Sequence, residues 1–427
     1  MMTSRSRMVS LLYVMTLAPA LAAQELPRAR PEDVGMSSAR LERLTAAFQR
    51  YVDDDRLAGA VVLVARQGKV VYTKALGQRD RESKAAMGED AIFRIASQSK
   101  ALVSVATLML QEEGALLIGD AVGKYLPEFQ RTTVAVPRAS GGGYDVVEAR
   151  RPITIRDLLT HTAGISYGGG PARDRWVEAG IQGWYFADRA EPIAATVARI
   201  ATLPFDAQPG ERWVYGYATD ILGALVEKVS GVPLDQFIRT RITEPLRMKD
   251  TYFYLPAEKR SRLATVYSLG NGGLTRAPDA GGMVSQGQYV DGPRKSFSGG
   301  AGLLSTATDY ARFLQMMLND GELDGVRILS PKTVELMTVD HVGARYTTAG
   351  IGFGLGFSVL EDLGARGQPG SFGEFGWGGA YHSTYWVDPR EQLVVVYFTQ
   401  LIPATGLDDH GKLRALVYQA FITSGRE

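Results

Sequence analysis

Cysteine is absent from the 427-residue chain. Its absence excludes disulfides, thiolate metal centres, a cysteine nucleophile and a lipidated cysteine near the N-terminus. A chain of this length does not need such staples, because it can bury a sizeable core. Histidine is scarce as well. The four residues His161, His341, His382 and His410 show no His-Glu-x-x-His spacing, so no metal is expected. Charge of one sign is also lacking: 47 Lys and Arg stand against 46 Asp and Glu, a net +1. No basic block points to nucleic acid, and no acidic tail to a solvating role. Asp53-Asp54-Asp55 reads as a solvated helix end. There is no phosphate loop or dinucleotide fingerprint, so no cofactor is expected. Beyond the N-terminus no apolar run is long enough to cross a membrane. The remaining composition, 45% hydrophobic and 22% charged, is that of an ordinary soluble globular protein. Nothing in it fixes an oligomeric state.

The N-terminus carries a layout of its own. Arg5 and Arg7 precede an apolar run, Met8 to Ala18, which ends in the small residues Ala20-Leu21-Ala22. That is the pattern of a secretory signal peptide cleaved after Ala22 or Ala23, and it predicts a periplasmic or secreted protein.

Further along, a helix is expected from Ala39 to Asp53, with Leu41, Leu44, Phe48 and Tyr51 on one face. Gly59 to Ala65 and Val70 to Ala75 read as a hairpin around Gln67-Gly68. A second helix runs from Ser97 to Glu113 and stops at Gly114. Between Leu116 and Pro293 short helices (Thr154 to His161, Pro192 to Leu203, Asp220 to Ser230, Leu234 to Ile242) alternate with Gly- and Pro-rich loops. After Ser298 come a helix (Ala307 to Asn319), two strands (Tyr381 to Asp388 and Leu393 to Gln400) and a closing helix (Leu413 to Ile422). Strands near both ends with a helix-rich middle predict an α+β fold: an antiparallel sheet built from both chain ends, flanked by helices, with an inserted helical domain. The expected boundaries are 1–23 for the signal peptide, 24–115 and 294–427 for the sheet domain, and 116–293 for the insertion, with the site at the interface.

Three segments carry chemistry. Ser97-Gln98-Ser99-Lys100 opens the second helix, and residues three apart share a helix face. Burial of a lysine disfavours its charged form, so that it can accept a proton from a serine. The helix N-terminus supplies N–H groups where an oxyanion forms. Leu102, Val105, Ala106 and Met109, with Leu108 and Leu110, make this helix apolar almost all round, as in a central core. The second segment is Pro209-Gly210-Glu211-Arg212-Trp213-Val214-Tyr215 with the helix that follows. The third is Gly376-Trp377-Gly378-Gly379-Ala380. A rival pattern is Gly164-Ile165-Ser166-Tyr167-Gly168, which matches the Gly-x-Ser-x-Gly nucleophile elbow. That elbow needs a strand before and a helix after; here a helix precedes and Gly169-Gly170-Pro171 follows, so Ser166 is disfavoured. His161 reads as structural; His382, close to Ala380 in sequence, reads first as a surface strand residue and second as a residue of the cleft lining.

In this order and spacing these segments resemble the serine β-lactamase and penicillin-binding protein superfamily. The likeness is to its class C β-lactamase-like branch, and within that to the family VIII carboxylesterases. Asp157-Leu158-Leu159-Thr160-His161-Thr162-Ala163-Gly164 and Gly300-Ala301-Gly302-Leu303-Leu304-Ser305-Thr306-Ala307 add to it, over about Gly35 to Ile422. The resemblance implies that Ser97 is acylated, that Lys100 is its base or keeps Tyr215 basic, and that Tyr215 shuttles the proton to the leaving group. It implies an oxyanion hole from the N–H groups of Ser97 and Ala380, and a substrate-side lining of Trp377, Gly378, Gly379 and Tyr217. Two polar handles of class C enzymes are missing: Tyr217 replaces the asparagine of Tyr-x-Asn, and Trp377 the lysine of Lys-Thr-Gly. Loss of a charge-assisted contact weakens recognition of a lactam carboxylate. The expected activity is therefore hydrolysis of short- to medium-chain esters, with weak cephalosporin hydrolysis on the side. A class C-type β-lactamase, a D-Ala-D-Ala carboxypeptidase and a non-hydrolytic penicillin-binding sensor are the alternatives.

Overall fold

The computed structural model describes residues 25–425 except Ser140. The signal-peptide expectation for 1–23 lies outside the described residues. An eight-stranded antiparallel sheet is built from β1 (Gly59–Arg66), β2 (Lys69–Asp80), β3 (Ala85–Ala86), β4 (Ile351–Phe353), β5 (Ser358–Leu360), β6 (Phe375–Gly379), β7 (Ser383–Asp388) and β8 (Leu393–Thr399). Its order is β4-β5-β6-β7-β8-β1-β2-β3, so the two chain ends meet where β1 pairs with β8, Leu63 opposite Val396.

β1 is buried at every residue, which explains its unbroken apolar run: both faces of the strand are covered. Val61, Leu63 and Ala65 join one core cluster and Ala60, Val62 and Val64 the other, as the period of two requires. The outer face is covered by α1 (Ser38–Asp53), through Leu41, Leu44 and Phe48, and by a C-terminal helix (Asp409–Tyr418), through Leu413 and Val417. On the inner face lies the helix Ala307–Leu318. The helix that carries the first motif, Ser99–Glu112, is buried from Ser99 to Leu110 and packs on Ala218–Ser230. Each large apolar side chain so buried contributes about 1.5–3 kcal/mol.

The differences from expectation have local causes. The C-terminal helix begins at Asp409, before Leu413, and ends at Tyr418; Gly411 masks its first turn in a propensity reading. Gly141 to Gly143 is the connection of a hairpin, Thr133–Pro137 with Tyr144–Glu148. Gly273–Arg276, in an expected loop, pairs with Tyr267–Gly270, which in turn pairs with Leu401–Ala404. These strands are four or five residues long, too short to show a period. Leu234–Ile238 continues in a wider turn, Arg239–Thr243.

Candidate active site

Ser97 sits in a single 3-10 turn, Ala96–Gln98, that feeds the central helix. Ala96 adopts φ 43°, a region that disfavours side chains with a Cβ. The strained turn is held from several directions. Ile95 N–H donates to Leu303 O at 3.1 Å, Ser99 Oγ accepts from Leu303 N–H at 2.9 Å, and Gln98 Nε2 donates to Ser383 Oγ at 3.1 Å. Tyr310 OH donates to Gln98 O at 2.9 Å. Ser99, the other serine of the motif, is thus fully used as an anchor. β6 passes so close that a Cβ on Gly379 would lie 2.6 Å from Ile95 O, so only glycine lets the strand reach this turn.

Lys100 is 2% exposed. Its Nζ lies 3.3 Å from Ser97 Oγ, donates to Tyr167 OH at 3.0 Å and to Gly300 O at 2.8 Å. Removing an ammonium from water costs several kcal/mol unless its protons are satisfied. Here three neutral oxygens do so, and among the described residues no carboxylate forms an ion pair with Lys100. The nearby Asp220 accepts instead from Ser298 Oγ at 2.6 Å and from Gly300 N–H at 3.1 Å. Burial pushes its carboxyl up, against those hydrogen bonds and the charge of Lys100. Asp220 therefore fixes the loop whose carbonyl holds the lysine.

Two tyrosines flank Lys100. The Tyr215 ring centroid lies 4.6 Å from Nζ, and the Tyr215 hydroxyl accepts from Trp377 Nε1 at 3.0 Å. Tyr167, whose hydroxyl bonds Lys100, was missed in the sequence because it follows the rival Ser166. A Cβ on Gly216 would lie 2.3 Å from Ile165 O; the missing side chain lets the two loops touch and sets the Tyr167 and Tyr215 rings edge to face at 5.7 Å. Burial, then the charges of Tyr215, Asp220 and Tyr217, push Tyr167 well above the usual phenol range, a hydrogen bond with Ser97 opposing. Tyr167 keeps its proton at any ordinary pH.

A cavity of about 480 Å³ opens over these groups. Ser97, Tyr167, Tyr215, Trp377 and Ala380 line it, with Gly378 and Gly379 between them and Trp184 opposite. Tyr217 is placed elsewhere, a correction to its expected contact with substrate. It is fully buried, stacks on Trp176 at 5.8 Å and donates to Gly183 O at 2.6 Å. It immediately precedes the helix Ala218–Ser230. His161 is packed at the rear, its ring 4.9 Å from that of Tyr215; burial, then the charge of Lys100, hold it well below the usual imidazole range. Ser166 does not line the cavity; its Oγ accepts from Gly168 N–H at 3.2 Å.

His382 takes the second of its two expected places: it lines the cavity, together with His410. It lies in the turn between β6 and β7 at φ 64°. With Asp409 these are the one group among the described residues whose ligating atoms lie within 4.8 Å of one another. The two rings stack, centroids 4.1 Å apart and planes 19° apart. In-plane lone pairs of stacked rings run side by side and do not converge on one ion. The group is a hydrogen-bonded relay: His382 Nε2 to Asp409 Oδ1 at 2.7 Å, and Tyr397 OH to Asp409 Oδ2 at 2.7 Å.

Comparison with known proteins places the chain among relatives along nearly its whole length. The family model described as Beta-lactamase matches residues 44–419. An uncharacterized protein of Mycobacterium tuberculosis is 36% identical over 381 residues, 85% of this chain and 90% of its own. Esterase EstB of Burkholderia gladioli is 34% identical over 404 residues, 88% of this chain and 94% of its own. Among solved structures, EstCE1, a hydrolase with promiscuous acyltransferase activity, superposes with a TM-score of 0.78 at 30% identity, covering 89% of this chain and 99% of that one.

Proposed function

The chain belongs to the Beta-lactamase family, on the side of its family VIII-like esterases, and on that premise we propose that it is a serine carboxylesterase hydrolysing short- to medium-chain esters through an acyl-enzyme on Ser97. One observation carries the reading: a buried lysine 3.3 Å from Ser97 Oγ, at a cavity lined by Tyr167, Trp184, Tyr215 and Trp377 and, among the described residues, by no lysine or arginine. Neutral acyl chains match aromatic walls, whereas the carboxylate of a lactam or a D-Ala-D-Ala peptide finds no guanidinium or ammonium.

In the proposed reaction Ser97 Oγ attacks the ester carbonyl as its proton passes to the Lys100–Tyr215 pair. The carbonyl oxygen, negative in the tetrahedral intermediate, is held by the N–H groups of Ser97 and Ala380. The intermediate collapses, the C–O bond to the alcohol breaks, and Tyr215 delivers the proton to the departing alkoxide. Water then attacks the Ser97 ester, giving its proton to the same pair; the bond from the acyl carbon to Oγ breaks, the carboxylic acid leaves, and the pair returns the proton to Ser97 Oγ. Tyr215 suits the shuttle because its hydroxyl is oriented by Trp377 Nε1. Tyr167, which holds its proton, suits the role of an anchor for Lys100.

A panel of p-nitrophenyl esters, nitrocefin and a D-Ala-D-Ala peptide tests the reading. Esters are expected to be turned over steadily, and nitrocefin at least about a hundredfold more slowly, the order of effect when a charge-assisted contact worth 2–3 kcal/mol is missing. Nitrocefin turned over faster than every ester, or a single burst without turnover, would overturn it. The N-terminal pattern of Arg5, Arg7 and Met8 to Ala18 supports export to the periplasm or medium; N-terminal sequencing of the mature protein is expected to start at Ala23 or Gln24.

A further inference from the structure

Ala380 divides the cavity lining. On one side Trp377 precedes it by three residues, about 10 Å along a strand, and Trp377 is bonded to Tyr215. In the proposed reaction Tyr215 protonates the leaving alcohol, so the alcohol lies on that side. The acyl chain must then extend the other way, past Ala380 toward Trp184, Leu401, Ala404, His382 and His410. The first three are apolar walls. The two histidines are the polar end.

His382 is built for a defined contact. Asp409 is 1% exposed and accepts a hydrogen bond from His382 Nε2, at 2.7 Å. Tyr397 OH occupies the second Asp409 oxygen, and His410 Nε2 donates to the His382 carbonyl at 3.1 Å. Burial pushes Asp409 up, but the His382 hydrogen bond and the two histidine charges outweigh it, so the carboxylate stays ionised. Burial, then the charge of His382, hold His410 below the usual imidazole range. The buried carboxylate thus fixes the ring and its tautomer, as such partners do for catalytic and ligating histidines. Nδ1 of His382 bonds no described residue and is not among the buried orphan atoms; it is the ring atom left for cavity water or substrate. It accepts when the ring is neutral and donates when charged, and a hydroxyl matches both states because it donates and accepts.

Resting on the esterase reading above, we infer that His382, oriented by Asp409, is a specificity-determining residue that selects esters whose acyl chain carries a hydroxyl group. The chain lies along Trp184 and Leu401, and its hydroxyl meets His382 Nδ1.

The test compares p-nitrophenyl acyl esters from butanoate to octanoate with their terminal-hydroxyl analogues, in the wild type and in His382→Leu and Asp409→Asn. At one chain length the wild-type kcat/KM for the hydroxyl ester is expected to exceed that for its methyl counterpart about tenfold, mainly through KM. In His382→Leu the ratio is expected to fall below one, because the hydroxyl is then desolvated against a methyl group. Asp409→Asn, which keeps the side-chain shape, is expected to bring the ratio close to one with the thermal transition of a folded protein, and this variant decides the matter if His382→Leu does not fold. Wild-type turnover of the unsubstituted esters with no hydroxyl preference at any length would overturn this inference alone, as would a preference that survives in a folded Asp409→Asn. Wild-type turnover of neither series would overturn the esterase reading and this inference with it.

Discussion

Ser97 and Ser166 each stand in a sequence pattern that announces a nucleophile, and their surroundings could hardly differ more. Ser97 Oγ has a buried lysine at 3.3 Å, two tyrosines around that lysine and a cavity above it. Ser166 Oγ accepts from Gly168 N–H in its own turn, and its carboxyl neighbour is Asp206, pushed up by burial. No lysine or histidine among the described residues bonds it. The lesson concerns what a short pattern encodes. Gly164 to Gly168 matches an elbow by spacing, yet its glycines serve loop-on-loop packing, and the residue it sends into the site is Tyr167. A nucleophile is made by the base within reach and by the donors that receive the oxyanion, neither of which lies inside the pattern.

The comparison can be broken at its strongest point by removing each hydroxyl. Ser97→Ala is expected to lower ester kcat by about 10⁴-fold or more, measured with p-nitrophenyl butanoate. Ser166→Ala is expected to stay within about twofold, losing instead one hydrogen bond worth about 1 kcal/mol and about 1 °C in Tm. Next in size is Lys100→Met, which keeps the length and removes one member of the proposed Lys100–Tyr215 pair; kcat is expected to drop about 10²- to 10⁴-fold, with no recovery from Ser166. The two tyrosines sharpen the contrast between a shuttle and an anchor. Tyr215→Phe is expected to cost about 10²-fold in kcat, and Tyr167→Phe about tenfold, the order of one hydrogen bond to an ionisable group. The reverse ranking would move the shuttle to Tyr167. Similar in size to Tyr167→Phe is Asp220→Asn, where the Ser298 and Gly300 contacts are kept in part; kcat is expected to fall about tenfold through looser placement of the Gly300 carbonyl, with KM little changed.

Much of the fold was legible because its signals are local. The β1 run is apolar from Gly59 to Ala65 since both faces are covered, and the central helix is apolar almost all round since it is buried from Ser99 to Leu110. The short strands at Thr133–Pro137 and Gly273–Arg276 were not legible, because partners distant in sequence make them strands. In the site, the Ser97–Lys100 spacing was readable from helix geometry, and the Gly379 approach to Ile95 O gives a physical reason for the glycine run. Tyr217 misled because its position two residues from Tyr215 says nothing about which way the chain turns; it precedes a helix and packs on Trp176. His382 had two readings, and the surface one failed because strand alternation does not apply in a turn at positive φ. Tyr167 had one available signal, an aromatic residue flanked by glycines, and that signal lacks meaning until the loop is placed against Tyr215.

The most direct test is covalent. Treating the intact protein with a fluorophosphonate and mapping the adduct by tandem mass spectrometry should place one label on Ser97, within the tryptic peptide Ile95 to Lys100, with loss of esterase activity in proportion to labelling. A label on Ser166, or full inactivation without a label on Ser97, would contradict the account.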